Sequence, residues 1–301
     1  MSTLSFTIAA VERDTGLSKD VLRMWERRYG FPVPERDANG ERLYPAAQVE
    51  RLRLIKRLMD QGHRPGKLIA APEEELAALA PRRPRDTAAA LPRGAGESLD
   101  ELLDPIRRHD GPGFQQAMQQ RLVRQGLQAF VQDTAAPLTH QVGVAWEEGR
   151  IEVFEEHLYT ELTKRLLRQT IATLPAGRRP RVLLTTVPEE QHVIGLLMVE
   201  ALLALEGAEC IPLGTQMPLL DIGRAAEAHA ADIVALSFSV AFPQRQIGGL
   251  VQHLRQILPP TVALWVGGGG IRRLAAHNGV AILPELADAV RALHQWRSEH
   301  P

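Results

Sequence analysis

A histidine that follows a predicted buried strand is the first candidate for chemistry in this sequence. Residues 181–187 form the apolar run RVLLTTV, which is typical of a strand buried in a parallel sheet. Glu190, His192 and Gly195 come next with the spacing E-x-H-x-x-G. An imidazole can ligate a metal, a carboxylate two residues away can hold its second nitrogen, and a glycine at the next helix start permits close approach. The same spacing also fits a solvated loop histidine, so the surrounding elements must decide.

Small residues end two further apolar runs. Ser237 and Ser239 lie at the end of one run, and Gly267 and Gly268 lie at the end of the next. Because the carboxyl ends of parallel strands meet at one edge of a sheet, we expect these residues and His192 on the same rim. Such a rim leaves room for a large flat ligand with a tail inserted between strands.

This combination resembles the cobalamin-binding domain of methionine synthase and cobalamin-dependent mutases, whose signature is D-x-H-x-x-G, then S-x-L, then G-G. The resemblance implies a cobalt corrinoid cofactor, with His192 as the lower axial cobalt ligand and Glu190 as its carboxylate partner. It also implies that Ser237 touches the dimethylbenzimidazole tail and that the glycines make room for it. Glu for Asp preserves the chemistry, and S-F-S replaces S-x-L. The cofactor-binding residues predicted on the rim are Glu190, His192, Gly195, Ser237, Ser239, Gly267 and Gly268.

The first 70 residues carry the pattern of a helix-turn-helix followed by a hairpin. Thr7 and Ser18 are typical N-caps of two helices, and Gly16 supplies the turn between them. The second helix presents a cationic face, as a DNA-reading helix requires. Asn39-Gly40 favours a type I′ turn and therefore a short hairpin, or wing. The alternative is a basic helical hairpin that merely decorates an enzyme.

Residues 7–70 resemble the DNA-binding domain of MerR-family transcription regulators, through the run W-E-R-R-Y-G-F-P-x-P-x-R and the later G-x-R-x-Y. The resemblance implies double-stranded operator DNA as a partner, with RNA polymerase as a further one. MerR proteins dimerise through a coiled coil after the wing, whereas helix 46–61 is short here, so we expect dimerisation elsewhere. The residues implied to contact DNA are Lys19, Arg23, Arg27, Tyr29, Arg36, Arg42 and Tyr44.

A third motif lies between these two regions. Trp146 is followed after nine residues by Glu156-His157, a pattern also compatible with a core tryptophan beside a solvated pair. The order of head, W-x9-E-H and E-x-H-x-x-G resembles CarH/LitR-type regulators, light-sensing MerR proteins that bind adenosylcobalamin, over nearly the whole chain. The resemblance implies that Trp146, Glu156 and His157 surround the upper adenosyl group.

One departure from that group concerns the upper cobalt face. Its members carry a histidine directly after the tryptophan, where this chain has Glu147. A carboxylate is a poorer partner than imidazole for cobalt(III). A bis-histidine photoproduct therefore requires His140 or His157 here. Otherwise light sensing reaches a different end state, or the protein senses the cobalamin form or another tetrapyrrole.

The elements that must position these residues predict a multidomain α and α/β chain. Strands alternate with helices of ten or more residues after residue 176, which predicts a Rossmann- or flavodoxin-like doubly wound parallel sheet. Helix-period stretches before it predict a four-helix bundle, with segments 99–109, 112–124, 127–149 and 152–174, the third broken near Pro137. The expected domains are a winged helix-turn-helix head (1–75), a linker (76–98), a bundle cap (99–176) and a cobalamin-binding domain (177–301).

Composition and charge agree with this organisation. The 301 residues carry 35 Lys+Arg and 36 Asp+Glu, and 45% are hydrophobic, enough for sizeable cores. Residues 1–93 have a net charge of +4 and the remainder −5, which suits a nucleic-acid-binding head on an acidic body. The single Cys210 excludes a disulfide framework and thiolate-rich metal sites. We expect a cytoplasmic protein without a signal peptide, a membrane span or a membrane partner.

The sequence therefore predicts a DNA-binding repressor, not an enzyme, gated by adenosylcobalamin and light through ligand-dependent assembly into a dimer or tetramer. One alternative is a light-insensitive sensor of cobalamin or another tetrapyrrole. A second is a corrinoid carrier or fragment of a cobalamin-dependent methyltransferase or mutase, although no sequence remains for a substrate barrel of ~250 residues. A third is a regulator whose sensor has lost cobalamin.

Overall fold

The chain forms two compact units. A computed structural model describes residues 5–37, 40–60, 63–79 and 99–300. Unit 1 consists of residues 1–93 together with 143–152, and unit 2 of residues 94–142 and 153–301. Most of the predicted linker lies outside the described residues, as does Asn39 of the predicted turn. The domain boundaries given above remain predictions.

Unit 1 combines short helices with a small antiparallel sheet. Its helices in the described part of the chain are α1 (Ile8–Thr15), α2 (Lys19–Tyr29), α3 (Ala46–Asp60), α4 (Pro65–Ala70) and α5 (Glu73–Leu79). Its strands are β1 (Ser5–Thr7), β2 (Glu35–Arg36) and β3 (Arg42–Pro45). They pair antiparallel in the order β1-β3-β2, so β2 and β3 form the expected hairpin.

The two predicted helix caps and the predicted glycine turn are present in unit 1. The Thr7 hydroxyl accepts a hydrogen bond from the Ala10 amide at the start of α1, and Ser18 does the same for Val21 at the start of α2. Gly16 ends α1 with a φ of +70°, a conformation that glycine adopts without a Cβ penalty. These caps and this turn produce the helix-turn-helix.

The core of unit 1 forms where α2 packs against the other helices and the sheet. Leu22 and Trp25 of α2 are buried, while Val21 is half-buried against them. Leu52 and Ile55 of α3 are completely buried in the same cluster. The apolar side of α2 therefore faces inward, and its charged side remains exposed.

Unit 2 begins with helices that form the predicted bundle. They are α6 (Leu99–Arg107), α7 (Gly111–Ala129), a π-helical segment (Phe130–Ala135), α8 (Ala136–Glu147) and α9 (Val153–Ala172). The end of α8, residues 143–147, is assigned to unit 1. The chain bends at Gly126, between the predicted second and third segments, where a φ of +75° and a ψ of 163° are not helical. Within the third segment the helix type changes beside Pro137, where the π-helical segment ends at Ala135 and α8 begins. Pro137 lacks an N–H to donate to the preceding turn, and the wider π turns directly before it accommodate that loss.

The rest of unit 2 is a parallel sheet covered by helices. Its strands are β4 (Arg178–Thr185), β5 (Ala208–Gly214), β6 (Ile233–Ser237), β7 (Ala263–Gly267) and β8 (Val280–Leu283). Its helices are α10 (Ile194–Leu205), α11 (Leu219–Ala228), α12 (Gln244–Ile257) and α13 (Leu286–Glu299). The strand order β5-β4-β6-β7-β8, all parallel, confirms the flavodoxin-like doubly wound sheet.

Each face of the sheet has its own apolar core. Leu183, Val234 and Leu264 pack with residues of α11 and α12, while Val182 and Leu184 pack with residues of α10 and α13. Helix α9 of the bundle packs on α10. Because β5 and β6 lie on opposite sides of β4, the order reverses between β4 and β6, and ligands of such sheets bind at that point. No helix in the described ranges is long and apolar enough to span a bilayer.

Candidate functional site

The loop between β4 and α10 places the E-x-H-x-x-G motif at the carboxyl edge of the sheet. Thr186, the first loop residue, donates its hydroxyl hydrogen to the Glu190 carbonyl over 2.6 Å. The same hydroxyl oxygen accepts a hydrogen bond from the backbone N–H of Gln216 at 2.9 Å, which ties the loop to the chain beyond β5. These two hydrogen bonds therefore hold the loop in place.

Glu190 is the buried centre of this loop. Its side chain is 1% exposed. One carboxylate oxygen accepts the backbone N–H of His192 at 2.9 Å and bonds its ring Nδ1 at 2.7 Å. The other accepts the backbone N–H of Ser239 at 2.7 Å and its hydroxyl at 2.9 Å. Both oxygens are thus saturated, which is how a buried charge is tolerated.

The electrostatics of the pair favour its charged forms. Burial acts to raise the pKa of Glu190, but the hydrogen bonds from His192 and Ser239 outweigh it, so this pKa lies below its ordinary value. The hydrogen bond to Glu190 raises the pKa of His192 against the opposing effect of burial. The carboxylates of Glu190 and Glu156 raise it further.

The geometry leaves one imidazole nitrogen open. In the neutral imidazole the proton is assigned to Nδ1, which bonds Glu190, and Nε2 is left with a lone pair. Within the described residues no hydrogen bond engages Nε2, and the His192 side chain is 61% exposed. Metal-bound histidines commonly have this arrangement, with the second nitrogen held by a carboxylate. The donor set therefore fits one axial position on a metal.

Ser239 and Ser237 have different surroundings. Ser239 bonds Glu190, and its hydroxyl also lies 3.0 Å from Nδ1 of His192, so it supports the histidine from the loop after β6. Ser237 instead faces Gly195, since a Cβ on Gly195 would lie 3.2 Å from the Ser237 hydroxyl oxygen. A larger residue at Gly195 would therefore meet β6 at the point where the strand order reverses.

Gly267 and Gly268 meet backbone, not open space. A Cβ on Gly268 would lie 2.3 Å from the Phe238 carbonyl oxygen, and its φ is +96°. A Cβ on Gly267 would lie 3.0 Å from the Leu283 carbonyl oxygen. Glycine is therefore required at position 268, directly after β7, whereas a Cβ at position 267 would make a tight contact. A role in accommodating a ligand tail remains a prediction.

Of the W-x9-E-H motif, only Glu156 is shown to act on this loop. Glu156 of α9 is close enough to act on the His192 pKa, and its carboxylate accepts the Thr160 hydroxyl at 2.7 Å. The His157 side chain is 72% exposed, with Nε2 3.7 Å from the Glu156 carboxylate. Trp146 is half-buried and lies in segment 143–152, which belongs to unit 1, so its place at the site remains a prediction.

The position after the tryptophan is accessible. Glu147 is the last residue of α8 and is exposed, and His140 is exposed earlier on the same helix. Both side chains are therefore exposed to solvent on α8.

The predicted DNA-binding residues of α2 lie on its exposed side. The Lys19 ammonium is 3.4 Å from the Glu12 carboxylate, and an Arg23 guanidinium nitrogen is 3.5 Å from Asp20. Arg27 is exposed and bonds only the Arg23 carbonyl among the described residues. Tyr29 is half-buried beside α4. Ion pairs this exposed hold side chains weakly, so these cations are available to phosphates.

In the wing, one expectation needs correction. Arg36 is exposed and bonds the Gly40 carbonyl at 2.7 Å, and Arg42 is partly exposed. Tyr44, however, is completely buried, and its hydroxyl donates to Glu26 over 2.6 Å. Burial and this hydrogen bond raise its pKa. Tyr44 therefore belongs to the core of the head, since the apolar ring fills space between α2 and the sheet.

Two sets of contacts were not predicted from the sequence. In the first, Glu26 of α2 bonds Arg42 and Tyr44. The only sequence signal for it is a carboxylate among cations in the run W-E-R-R. The dual bonding of Ser239 to Glu190 and His192 also has no sequence signal beyond the S-F-S run.

Comparison with known proteins covers most of the chain. Residues 6–69 match the MerR HTH family regulatory protein model, and residues 98–170 and 180–294 each match a B12 binding domain model. The HTH-type transcriptional repressor CarH of Myxococcus xanthus is 31% identical over 92% of this chain and 95% of its own length. CarA, an HTH-type transcriptional repressor of the same organism, is 29% identical over 89% of this chain and 88% of its own length. The monomethylamine corrinoid protein of Methanosarcina barkeri superposes with a TM-score of 0.48 at 18% identity, over 65% of this chain and 96% of its own.

The chain is thus a MerR-type DNA-binding transcriptional regulator that carries a cobalamin-binding module, and it is not an enzyme. This excludes the corrinoid methyltransferase, mutase and carrier alternatives. More narrowly, it belongs to the CarH family of HTH-type transcriptional repressors.

Proposed function

We propose that this protein is a repressor gated by adenosylcobalamin and light. The observation that carries the proposal is the saturated Glu190 carboxylate, which holds Nδ1 of His192 and leaves Nε2 open at the carboxyl edge of the sheet. An imidazole fixed in this way is pre-organised for one axial cobalt position. We place the protein in the cytoplasm, where operator DNA is found.

The residues of the chain would divide the work as follows. His192 binds through Nε2, while Glu190 and Ser239 hold the ring orientation and its proton. Ser237 and the rim glycines accommodate the nucleotide tail. Trp146, Glu156 and His157 lie against the upper ligand. When bound, adenosylcobalamin supplies a cobalt–carbon bond that visible light breaks.

The regulatory output would be assembly. Ligand contacts at the bundle motif and at His192 favour one arrangement of the bundle, and that arrangement favours a dimer or tetramer with paired DNA-binding heads. A ligand can shift such an equilibrium only by its different affinity for the two arrangements. The paired heads bind a repeated operator and limit access of RNA polymerase.

A second candidate function is supported by Glu147. Because a carboxylate and not an imidazole follows Trp146, the chain lacks the residue that its relatives by motif use after photolysis. A sensor of cobalamin supply, or of another tetrapyrrole, without a light response would retain every contact described around His192.

One experiment separates the two functions. The purified full chain is mixed with adenosylcobalamin in the dark, desalted, and measured by absorbance and size-exclusion chromatography before and after green illumination. Retained corrinoid with a spectral change and an elution shift supports the photoreceptor. Retained corrinoid with unchanged elution supports the cobalamin sensor. Loss of the corrinoid on desalting contradicts both the photoreceptor and the cobalamin sensor, and leaves another tetrapyrrole as the ligand to test.

The ligand assignment is tested with His192→Ala beside His253→Ala, an exposed histidine on α12. We expect the first variant to lose tight retention of the corrinoid and the second to behave as wild type. Tight retention by His192→Ala with an unchanged spectrum would show that His192 is not the ligand.

A further inference from the structure

A partly buried carboxylate joins the recognition helix of the head to its wing. Glu26 of α2 has a side chain that is only 14% exposed. One of its oxygens accepts the Tyr44 hydroxyl at 2.6 Å, and the other accepts Nε of Arg42 at 3.0 Å. Both donors come from β3, where alternate residues point to the same side of the strand.

A carboxylate is an unexpected residue at this place. The surrounding surface is cationic and is built to face phosphates, so a negative charge there opposes DNA binding unless it serves another group. Desolvating it also requires partners. Glu26 has two, and both belong to the wing.

The wing supplies a reason for the charge. Arg36 of β2 lies directly opposite Arg42 of β3, so two guanidinium groups share one side of the hairpin. Like charges directly opposite each other destabilise a hairpin. Arg36 is turned towards the Gly40 carbonyl, whereas Arg42 is held by Glu26. The carboxylate therefore offsets the charge of Arg42, one member of this pair.

The contact with Glu26 leaves most of the Arg42 guanidinium available. Nε is the one Arg42 side-chain atom that bonds within the described residues, and the side chain is 31% exposed. The two terminal nitrogens keep their four N–H groups for an outside acceptor. An arginine held by its Nε side and open on its terminal side is suited to a phosphate oxygen.

We propose that Glu26 is a positioning residue for DNA binding: it orients the terminal nitrogens of Arg42 towards a backbone phosphate. The proposal rests on the DNA-binding function of the head. It assigns an essential role to an acidic residue within a basic surface.

The test measures DNA affinity and its salt dependence. The probe is a fluorescein-labelled 40-base-pair duplex enriched by the wild-type chain from a randomised pool, with binding followed by fluorescence anisotropy over a series of NaCl concentrations. Glu26→Gln keeps the size of the side chain and removes its charge. Glu35→Gln, an exposed residue of β2 in the same wing, is the matched control for loss of one negative charge.

We expect Glu26→Gln to weaken binding about tenfold and to reduce the slope of log K against log salt by about one, as loss of one phosphate contact does. Arg42→Ala should do the same, and the double variant should be no weaker than Arg42→Ala alone. Glu35→Gln should bind as tightly as wild type or slightly tighter. Thermal melting by circular dichroism checks that each variant is folded.

Three outcomes would overturn the inference. The first is Glu26→Gln with wild-type affinity and slope. The second is tighter binding by Glu26→Gln, which would mean that the carboxylate only repels phosphate. The third is a further loss when Glu26→Gln is added to Arg42→Ala, which would indicate a structural role independent of Arg42. Failure of the wild-type chain to enrich any duplex would overturn the DNA-binding function itself and this inference with it.

Discussion

Glu190 shows how a single buried residue can prepare a ligand site. Four hydrogen bonds, two from His192 and two from Ser239, converge on a carboxylate that has almost no contact with water. Its charge is the reason that the proton stays on Nδ1, because an ionised carboxylate only accepts. The orientation of the ring and the availability of Nε2 both depend on it.

The first prediction concerns this charge. Glu190→Gln should weaken adenosylcobalamin binding about 10- to 100-fold, since loss of a supporting partner of a metal-bound histidine has effects of that size. The amide of the glutamine would also present two N–H donors to His192 and Ser239, which themselves donate hydrogen bonds at this position. The dissociation constant is measured by absorbance titration in the dark.

Glu189→Gln is the control, because Glu189 lies in the same loop and is exposed. It should leave the dissociation constant within about twofold. Equal affinity of Glu190→Gln and wild type would show that the histidine is oriented by other contacts.

At the scale of elements, α10 links the sheet to the bundle and carries a buried acid. Glu200 is 6% exposed, and burial raises its pKa above the ordinary 4.5, while the charge of Arg168 on α9 opposes the rise. Burial, with a further effect from Glu200, raises the pKa of the neighbouring Cys210 thiol to about 12. Cys210 is therefore protonated and unreactive at neutral pH.

The second prediction follows from the sign of the Glu200 shift. A carboxyl group with a higher pKa in the folded state than in the unfolded state destabilises the protein above that pKa, and the effect disappears as the pH falls towards 4.5. Glu200→Gln should therefore stabilise the protein at pH 7.5 by about 1 kcal/mol. The gain should shrink as the pH is lowered. Urea denaturation at both ends of this range measures it.

Glu227→Gln on α11 is the matched control, because Glu227 is exposed. It should change the free energy of unfolding by less than about 0.5 kcal/mol at either pH. A loss of stability in Glu200→Gln at pH 7.5 would mean that the charge attracts Arg168 more strongly than burial penalises it.

At the scale of the whole molecule, the two units have separate apolar cores. The core of unit 1 includes Trp25 and Leu52, while the sheet of unit 2 has one core on each face. The residues predicted to bind cobalamin at the edge of the sheet belong to unit 2, and the predicted recognition helix belongs to unit 1. Regulation therefore requires that a ligand-dependent state of one unit alter what the other can bind.

The third prediction tests whether ligand binding stabilises the folded state. Adenosylcobalamin at a hundredfold excess over its dissociation constant should add about 2.7 kcal/mol to the stability of the unit that binds it. Differential scanning calorimetry in the dark should show this as an upward shift of a melting transition. The shift should be absent in His192→Ala and present in His253→Ala. An equal shift in His192→Ala would contradict ligation by His192.

Much of this protein could be predicted because the relevant interactions are local in sequence. The Thr7 and Ser18 caps, the Gly16 turn and the strand after Pro180 each depend on residues within a few positions. The spacing of Glu190 and His192 places both in one loop, where the imidazole can reach the carboxylate. Caps, turns and apolar periodicity act over one or two turns of chain, so the sequence alone determines them.

The tertiary structure decided what depends on distant strands. Ser239 bonds Glu190, which is 49 positions away in the sequence, and Tyr44 bonds Glu26, which is 18 positions away. The second contact places Tyr44 in the core, where the sequence pattern had predicted a residue on the DNA surface. The need for glycine at position 268 comes from the Phe238 carbonyl, which directly follows the neighbouring strand β6. A sequence pattern states which residue types are present but not which backbone or side chain packs against them, because that depends on strand order and register.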